Sequence, residues 1–102
     1  MGGSRRQSGP VIKTSSFTLA DTDDYIVCNG SASITITLPT ASGWAGRRVV
    51  VKTIAAFTVI SANADVKPIE TNTAGTAILA ATAGKWAEIV SDGTYWIIMA
   101  GN

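Results

Sequence analysis

The sequence predicts an all-β domain, an antiparallel β-sandwich of jelly-roll type, on three observations. Runs rich in Val, Ile, Thr and aromatic residues recur about every eight to twelve residues, with Gly, Pro, Asn, Asp or Ser between them. Apolar and polar residues alternate within several runs, most cleanly in Ser33-Ile34-Thr35-Ile36-Thr37-Leu38. No stretch keeps the period of about 3.6 residues that marks a long amphipathic helix, and no internal repeat at a fixed spacing is visible. At 102 residues the chain is one domain.

The elements follow in order. Residues 1–14 read as a Gly/Ser/Arg-rich arm that docks on a partner, with Pro10 inside it, and residues 15–102 as the β-domain. Val11 to Thr14 and Ser16 to Leu19 give short strand signals, Phe17 and Leu19 sharing a face. Asp21-Thr22-Asp23-Asp24 is a polar turn. Tyr25-Ile26-Val27-Cys28 is a strand, and Asn29-Gly30 after it is the strongest short-range hairpin signal, because the tight turn needs positive φ at both residues. In the next strand Ile34, Ile36 and Leu38 point inward and Ser33, Thr35 and Thr37 outward, and Pro39 ends it because proline cannot donate to a ladder.

Ala41 to Gly46 is a loop or a single helical turn holding Trp44. Arg47 to Ile54 is a strand, Phe57 to Ile60 another, and Lys67 to Thr71 an edge segment because of Pro68. Ala74 to Ala83 is rich in alanine, yet Gly75, Thr76, Ile78 and Thr82 favour a strand there. Lys85 to Ser91 and Thr94 to Ala100 form a closing hairpin around Asp92-Gly93. Its last strand has no wet side: Tyr95, Ile97 and Met99 share one face, and Trp96, Ile98 and Ala100 the other. One face belongs to the core. The other needs a cover, and in a chain this short a second copy of the same chain is the simplest one.

Composition narrows the function. Charged residues make up 15%, well under the ~25% of ordinary soluble domains, so Ser, Thr and small residues must coat the surface. A formal net charge of +1 offers no field for nucleic acid or an anionic membrane. No segment approaches the ~18 apolar residues of a membrane-spanning helix, and the first ten residues lack the apolar centre of a secretion signal. The single Cys28 excludes an internal disulfide and reads as a small buried hydrophobe.

The absence of histidine removes Ser-His-Asp and Cys-His catalysis. Glu70 and Glu88 could in principle serve as paired carboxylates for glycoside cleavage; loop and strand-face placements explain them more simply, and the chain is read as a non-enzyme without cofactor. The acidic turn at 21–24 lacks the spacing of a calcium loop and reads as a self-capped turn, so no metal is assigned. Arg47 and Arg48 project to opposite faces of a strand and form no single basic patch. Among the aromatics, Trp86 and Trp96 read as core. Trp44, in its Gly-bounded loop with Arg47 beside it, is the candidate binding surface for a receptor or glycan.

One order of pieces is recognisable: Tyr25-Ile26-Val27, then Ile34-Thr35-Ile36-Thr37-Leu38-Pro39, then Gly46-Arg47-Arg48-Val49-Val50-Val51-Lys52, then Phe57-Thr58-Val59-Ile60, then Ile69-Glu70-Thr71, then Ser91-Asp92-Gly93-Thr94-Tyr95-Trp96. Over roughly residues 15 to 100 this order resembles a module of bacteriophage tail fibres and related virion fibres. The resemblance implies a β-rich homotrimer on the surface of a phage particle, serving in a tail fibre, spike, head fibre or capsid decoration. The partners it implies are self, other virion proteins through the N-terminal arm, and a host-surface glycan, with no nucleic acid and no membrane insertion. Modules of that family usually follow a long shaft, where this chain carries a short arm, which favours a small stand-alone virion protein or a fibre tip. Tyr95, Trp96, Ile97, Ile98 and Met99 are then the core and interface set. The rival expectation is a monomeric carbohydrate-binding module.

Overall fold

The computed structural model describes residues 9–102. The greater part of the expected 1–14 arm therefore lies outside the described residues. The described part is β throughout, apart from one 3-10 turn at Ala41–Gly43. Ten strands follow in chain order: β1 Val11–Lys13, β2 Phe17–Thr18, β3 Tyr25–Cys28, β4 Ile34–Thr37, β5 Arg48–Thr53, β6 Val59–Ser61, β7 Val66–Lys67, β8 Ala77–Leu79, β9 Trp86–Ser91 and β10 Trp96–Gly101. Each falls within or beside a segment whose composition predicted it. Residues 11–13, assigned to the arm from sequence, join a sheet instead.

Two sheets result. One has six strands in the order β1-β3-β5-β9-β10-β7, the other four in the order β2-β4-β6-β8. From β1 to β8 the chain crosses to the other sheet after every strand. Successive strands of the same sheet therefore stack in parallel: β1 on β3, β3 on β5, β2 on β4 and β4 on β6. The first six strands thus wind as a spiral. Antiparallel pairing begins only where β9 meets β5 and β10, and where β8 meets β6, while β7 closes the far edge in parallel with β10.

The purely antiparallel expectation is therefore corrected. A jelly roll is made of antiparallel Greek keys, and five of these eight ladders are parallel. The hairpin at Asn29-Gly30 fails for a specific reason. Both edges of β3 are taken, by β1 and β5, so β4 has no ladder to join and passes to the other sheet. The Asn29 N–H donates to Lys13 O at 2.8 Å, extending the ladder with β1. Neither residue has positive φ. Glycine is needed at position 30 for space: a Cβ there would lie 3.1 Å from Thr14 O and from Ala32 O.

The core between the sheets is one cluster. Ile34, Ile36, Val59 and Leu79 from the four-stranded sheet meet Ile26, Val49, Val51, Ile89 and Trp96 from the six-stranded one. Trp96 is fully buried, and removing a side chain of its size from water contributes about 4–6 kcal/mol of transfer free energy. Its indole Nε1–H donates to Pro39 O at 3.0 Å, so the only polar atom of the ring is satisfied. Among the described residues no buried side-chain N or O lacks a partner.

Candidate functional site

Trp44, the surface predicted for ligand contact, is built into a clasp. The 3-10 turn after β4 is fastened by the Ser91 hydroxyl, which donates to Ala41 O at 2.6 Å, and the Gly46 N–H donates to Ser91 O at 2.8 Å. This lays the Trp44 ring against Trp96, centroid to centroid 5.8 Å with the planes tilted by 58°. The other side is covered by Arg47, whose guanidinium carbon sits 4.2 Å from the ring centroid. Arg47 is held in turn by the acidic turn. It donates to Asp21 Oδ1 at 3.1 Å and to Asp21 O at 2.9 Å, and it lies 3.7 Å from Asp24 Oδ1. The half-buried Trp44 is therefore no open stacking platform: a ligand would have to displace a cation that already holds a carboxylate.

The same geometry accounts for the acidic turn. Asp21 and Asp24 face Arg47, and Asp23 Oδ2 accepts from the Ala20 N–H at 2.8 Å within its own turn. Arg48 turns the other way, as alternation requires, and pairs with Glu88 at 3.3 Å across β5 and β9. That pair places Glu88 on the outer face of the six-stranded sheet. Burial pushes the Cys28 thiol up to about 11, in keeping with an inert core position.

The closing hairpin forms as expected. The Asp92 carboxylate accepts from the Tyr95 N–H at 2.7 Å and the Thr94 N–H at 2.8 Å, which holds its pKa below the ordinary value, and Gly93 supplies φ +93°. The strand after it resolves its two faces. Trp96 and Ile98 enter the core, while Tyr95 and Ile97 are half-buried on the outside and Met99 is 61% exposed at a bulge.

The outer face of the six-stranded sheet mixes apolar and charged side chains. Register aligns Ile12, Val27, Lys52 and Trp86 in one row, Tyr25, Val50, Glu88 and Ala100 in the next, and Arg48, Val90, Ile97 and Lys67 in a third. Apolar residues make up three of the four positions in each of the first two rows and two of the four in the third, and Ile12 is 65% exposed. Arg48 pairs with Glu88 across the two central strands, Lys67 at the β7 edge lies over the Tyr95 ring at 4.3 Å and donates to Asn72 at 2.9 Å, and Lys52 on β5 is exposed.

Sequence reasoning missed a second feature, a crevice at the open end of the two sheets. Pro68, Ile69 and Glu70 after β7, Ala77 and Ile78 of β8, Trp86 at the start of β9, Ile98 within β10 and Asn102 just after it line it, with a volume of about 150 Å³. Trp86, read as core from sequence, is 37% exposed. The signal that could have found it is a tryptophan at the start of a strand, where its neighbours in the sheet thin out.

Set against family models, curated proteins and solved structures, the chain matches none. The likeness to virion fibres rests on the order of short motifs quoted above.

Proposed function

We propose that this chain is a structural protein of a bacteriophage virion, a fibre, spike, head-fibre or capsid decoration module, that works as a homotrimer. The observation that carries the reading is the set of apolar side chains Val27, Val50, Val90 and Ile97, with the exposed Ile12, on the outer face of the six-stranded sheet. Monomeric proteins rarely leave a large contiguous apolar surface in water. Three copies that turn this face toward a common axis would bury Tyr95, Ile97 and Met99 against their equivalents, and the two-sheet sandwich of each subunit would keep its Ser- and Thr-rich sheet outward. The low charge content supports the same reading, because a particle-surface protein relies on slow unfolding more than on a charged coat. The N-terminal arm would dock on other virion proteins, and the outward surface would meet the host.

Sedimentation at micromolar concentration tests the assembly: a mass three times 10.5 kDa is expected. A subunit that stays monomeric overturns it and favours a monomeric carbohydrate-binding module. Antibody labelling of native particles tests the location, and unlabelled particles would remove the virion assignment.

A further inference from the structure

We propose that the end of the spiral formed by β1 and β2 is a self-association edge for a second copy of this chain, and that Lys13 is the residue that keeps it shut. β1 and β2 are the outermost strands of their sheets, each paired on one side only, with β3 and with β4. Both belong to the first coil, so the two unpaired edges lie at the same end of the molecule. The ladders fix which backbone groups are left over. Lys13 O accepts from the Asn29 N–H at 2.8 Å, and the Leu19 N–H donates to Thr37 O at 3.0 Å. Backbone groups alternate in direction along a strand, so the residues next to these, Ile12 and Thr18, turn their N–H and C=O away from β3 and β4. Both residues are exposed.

An unpaired edge is a template for a strand of another chain. The far edge of the six-stranded sheet is closed: the Val66 N–H donates to Gly75 O at 3.0 Å and the Gly75 N–H to Val66 O at 2.8 Å. The matching pair of edges for β1 and β2 is therefore the same pair on a second copy, brought together about a two-fold axis. Lys13 stands in the way. Register with the buried Cys28 sets its side chain on the inner face of the sheet, and its amine reaches across to the other layer, 4.8 Å from the centroid of the Phe17 ring. Register with the buried Ile36 sets Phe17 inward as well. The ammonium thus sits at the mouth of the core, half-buried, with no carboxylate partner among the described residues. A docked copy would take two such ammonium groups out of water at one junction with no counter-ion, and an unpaired buried charge is strongly unfavourable. A charge pointing inward from an edge strand blocks pairing in this way.

This edge is separate from the outer face used by the proposed trimer, and the parent's own sedimented mass is the baseline, so the outcome does not depend on that assembly. The test compares Lys13→Val and Lys13→Gln with the parent, as full chains, by sedimentation over a micromolar concentration series, by circular dichroism and by amide hydrogen exchange. Both neutral variants should rise with concentration to at least about twice the parent's mass, and the Ile12 and Thr18 amides should gain protection. Lys13→Arg keeps the charge and should sediment as the parent does. Ile12→Pro added to Lys13→Val should restore the parent mass, because it removes an N–H that points away from β3 and leaves the existing ladder whole. The inference is overturned if both neutral variants keep the parent mass, if Lys13→Arg associates as Lys13→Val does, or if Ile12→Pro leaves the larger mass in place. Loss of the cooperative thermal transition in both neutral variants also overturns it, because the charge would then support the subunit's own packing.

Discussion

Two substitutions at adjacent positions of β10 separate the core from the proposed contact face. Ile98 is 9% exposed and lies opposite the four-stranded sheet, whereas Met99 is 61% exposed on the outside. Ile98→Asp removes a buried aliphatic chain, which costs about 2–5 kcal/mol in truncation alone, and it sets a carboxylate among apolar neighbours with no cation facing it, which adds several more. The sum approaches the whole stability of about 5–15 kcal/mol that a domain of this kind has. Met99→Asp changes a side chain that is already mostly in water, so the lone subunit should shift by roughly 0.5 kcal/mol or less. In the proposed trimer the exposed part of Met99 would become buried, a contribution of about 1–2 kcal/mol per chain, and desolvating the new carboxylate would add to the loss. At 1.4 kcal/mol per factor of ten, the association constant of each contact should fall by at least about tenfold. Circular dichroism and sedimentation at matched concentrations read both effects. Ile98→Asp should lose its cooperative transition, and Met99→Asp should keep it while the sedimented mass falls toward that of one chain. A Met99→Asp protein that still sediments with the parent would refute the placement of the contact, and a folded Ile98→Asp protein would refute the face assignment.

Two further predictions concern the clasp and the closing turn. Arg47→Ala removes the cation over Trp44 together with its partly exposed ion pairs, and it should cost roughly 1–2 kcal/mol while making Trp44 more accessible to acrylamide quenching; unchanged quenching would mean that Arg47 does not cover the ring in solution. Asp92 has its folded pKa depressed by the Tyr95 and Thr94 N–H groups, so its contribution is present above the unfolded value near ~3.9 and is lost as pH falls through the lower folded value. Asp92→Asn should therefore be less stable than the parent near neutrality, with the gap closing in urea titrations below about pH 4; a gap that widens in acid would reverse the sign of the argument.

The strand inventory was legible because alternation and punctuation are local properties. Ile34, Ile36 and Leu38 fall on the inside as their spacing says, Pro68 ends β7 at a sheet edge, and Asp92-Gly93 makes the turn its residues favour. The pairing of strands was not legible, because period two states which residues share a face and not which strand lies alongside. Asn29-Gly30 shows the difference. The dipeptide permits a tight hairpin, but β1 and β5 already occupy both edges of β3, and a saturated ladder outranks a turn preference. The spiral also escaped notice as a repeat, since the stretch joining Val11 to its partner Ile26 is much shorter than the one joining Tyr25 to Val50.

The candidate sites divide along the same line. That the last strand has two apolar faces could be read directly from Tyr95 to Ala100. Which face enters the core is a three-dimensional matter, settled when the Trp96 indole N–H finds Pro39 O and its ring meets Trp44. That choice has a consequence for the rest of the molecule. Once Trp96 fills the core beneath the 40s loop, Trp44 lies over it, and Arg47, held by the 21–24 turn, stacks on Trp44. The tryptophan left open to solvent is then Trp86, at the far end of the same hairpin, where Gly101 lets β9 and β10 approach so closely that a Cβ would stand 2.5 Å from Trp86 O.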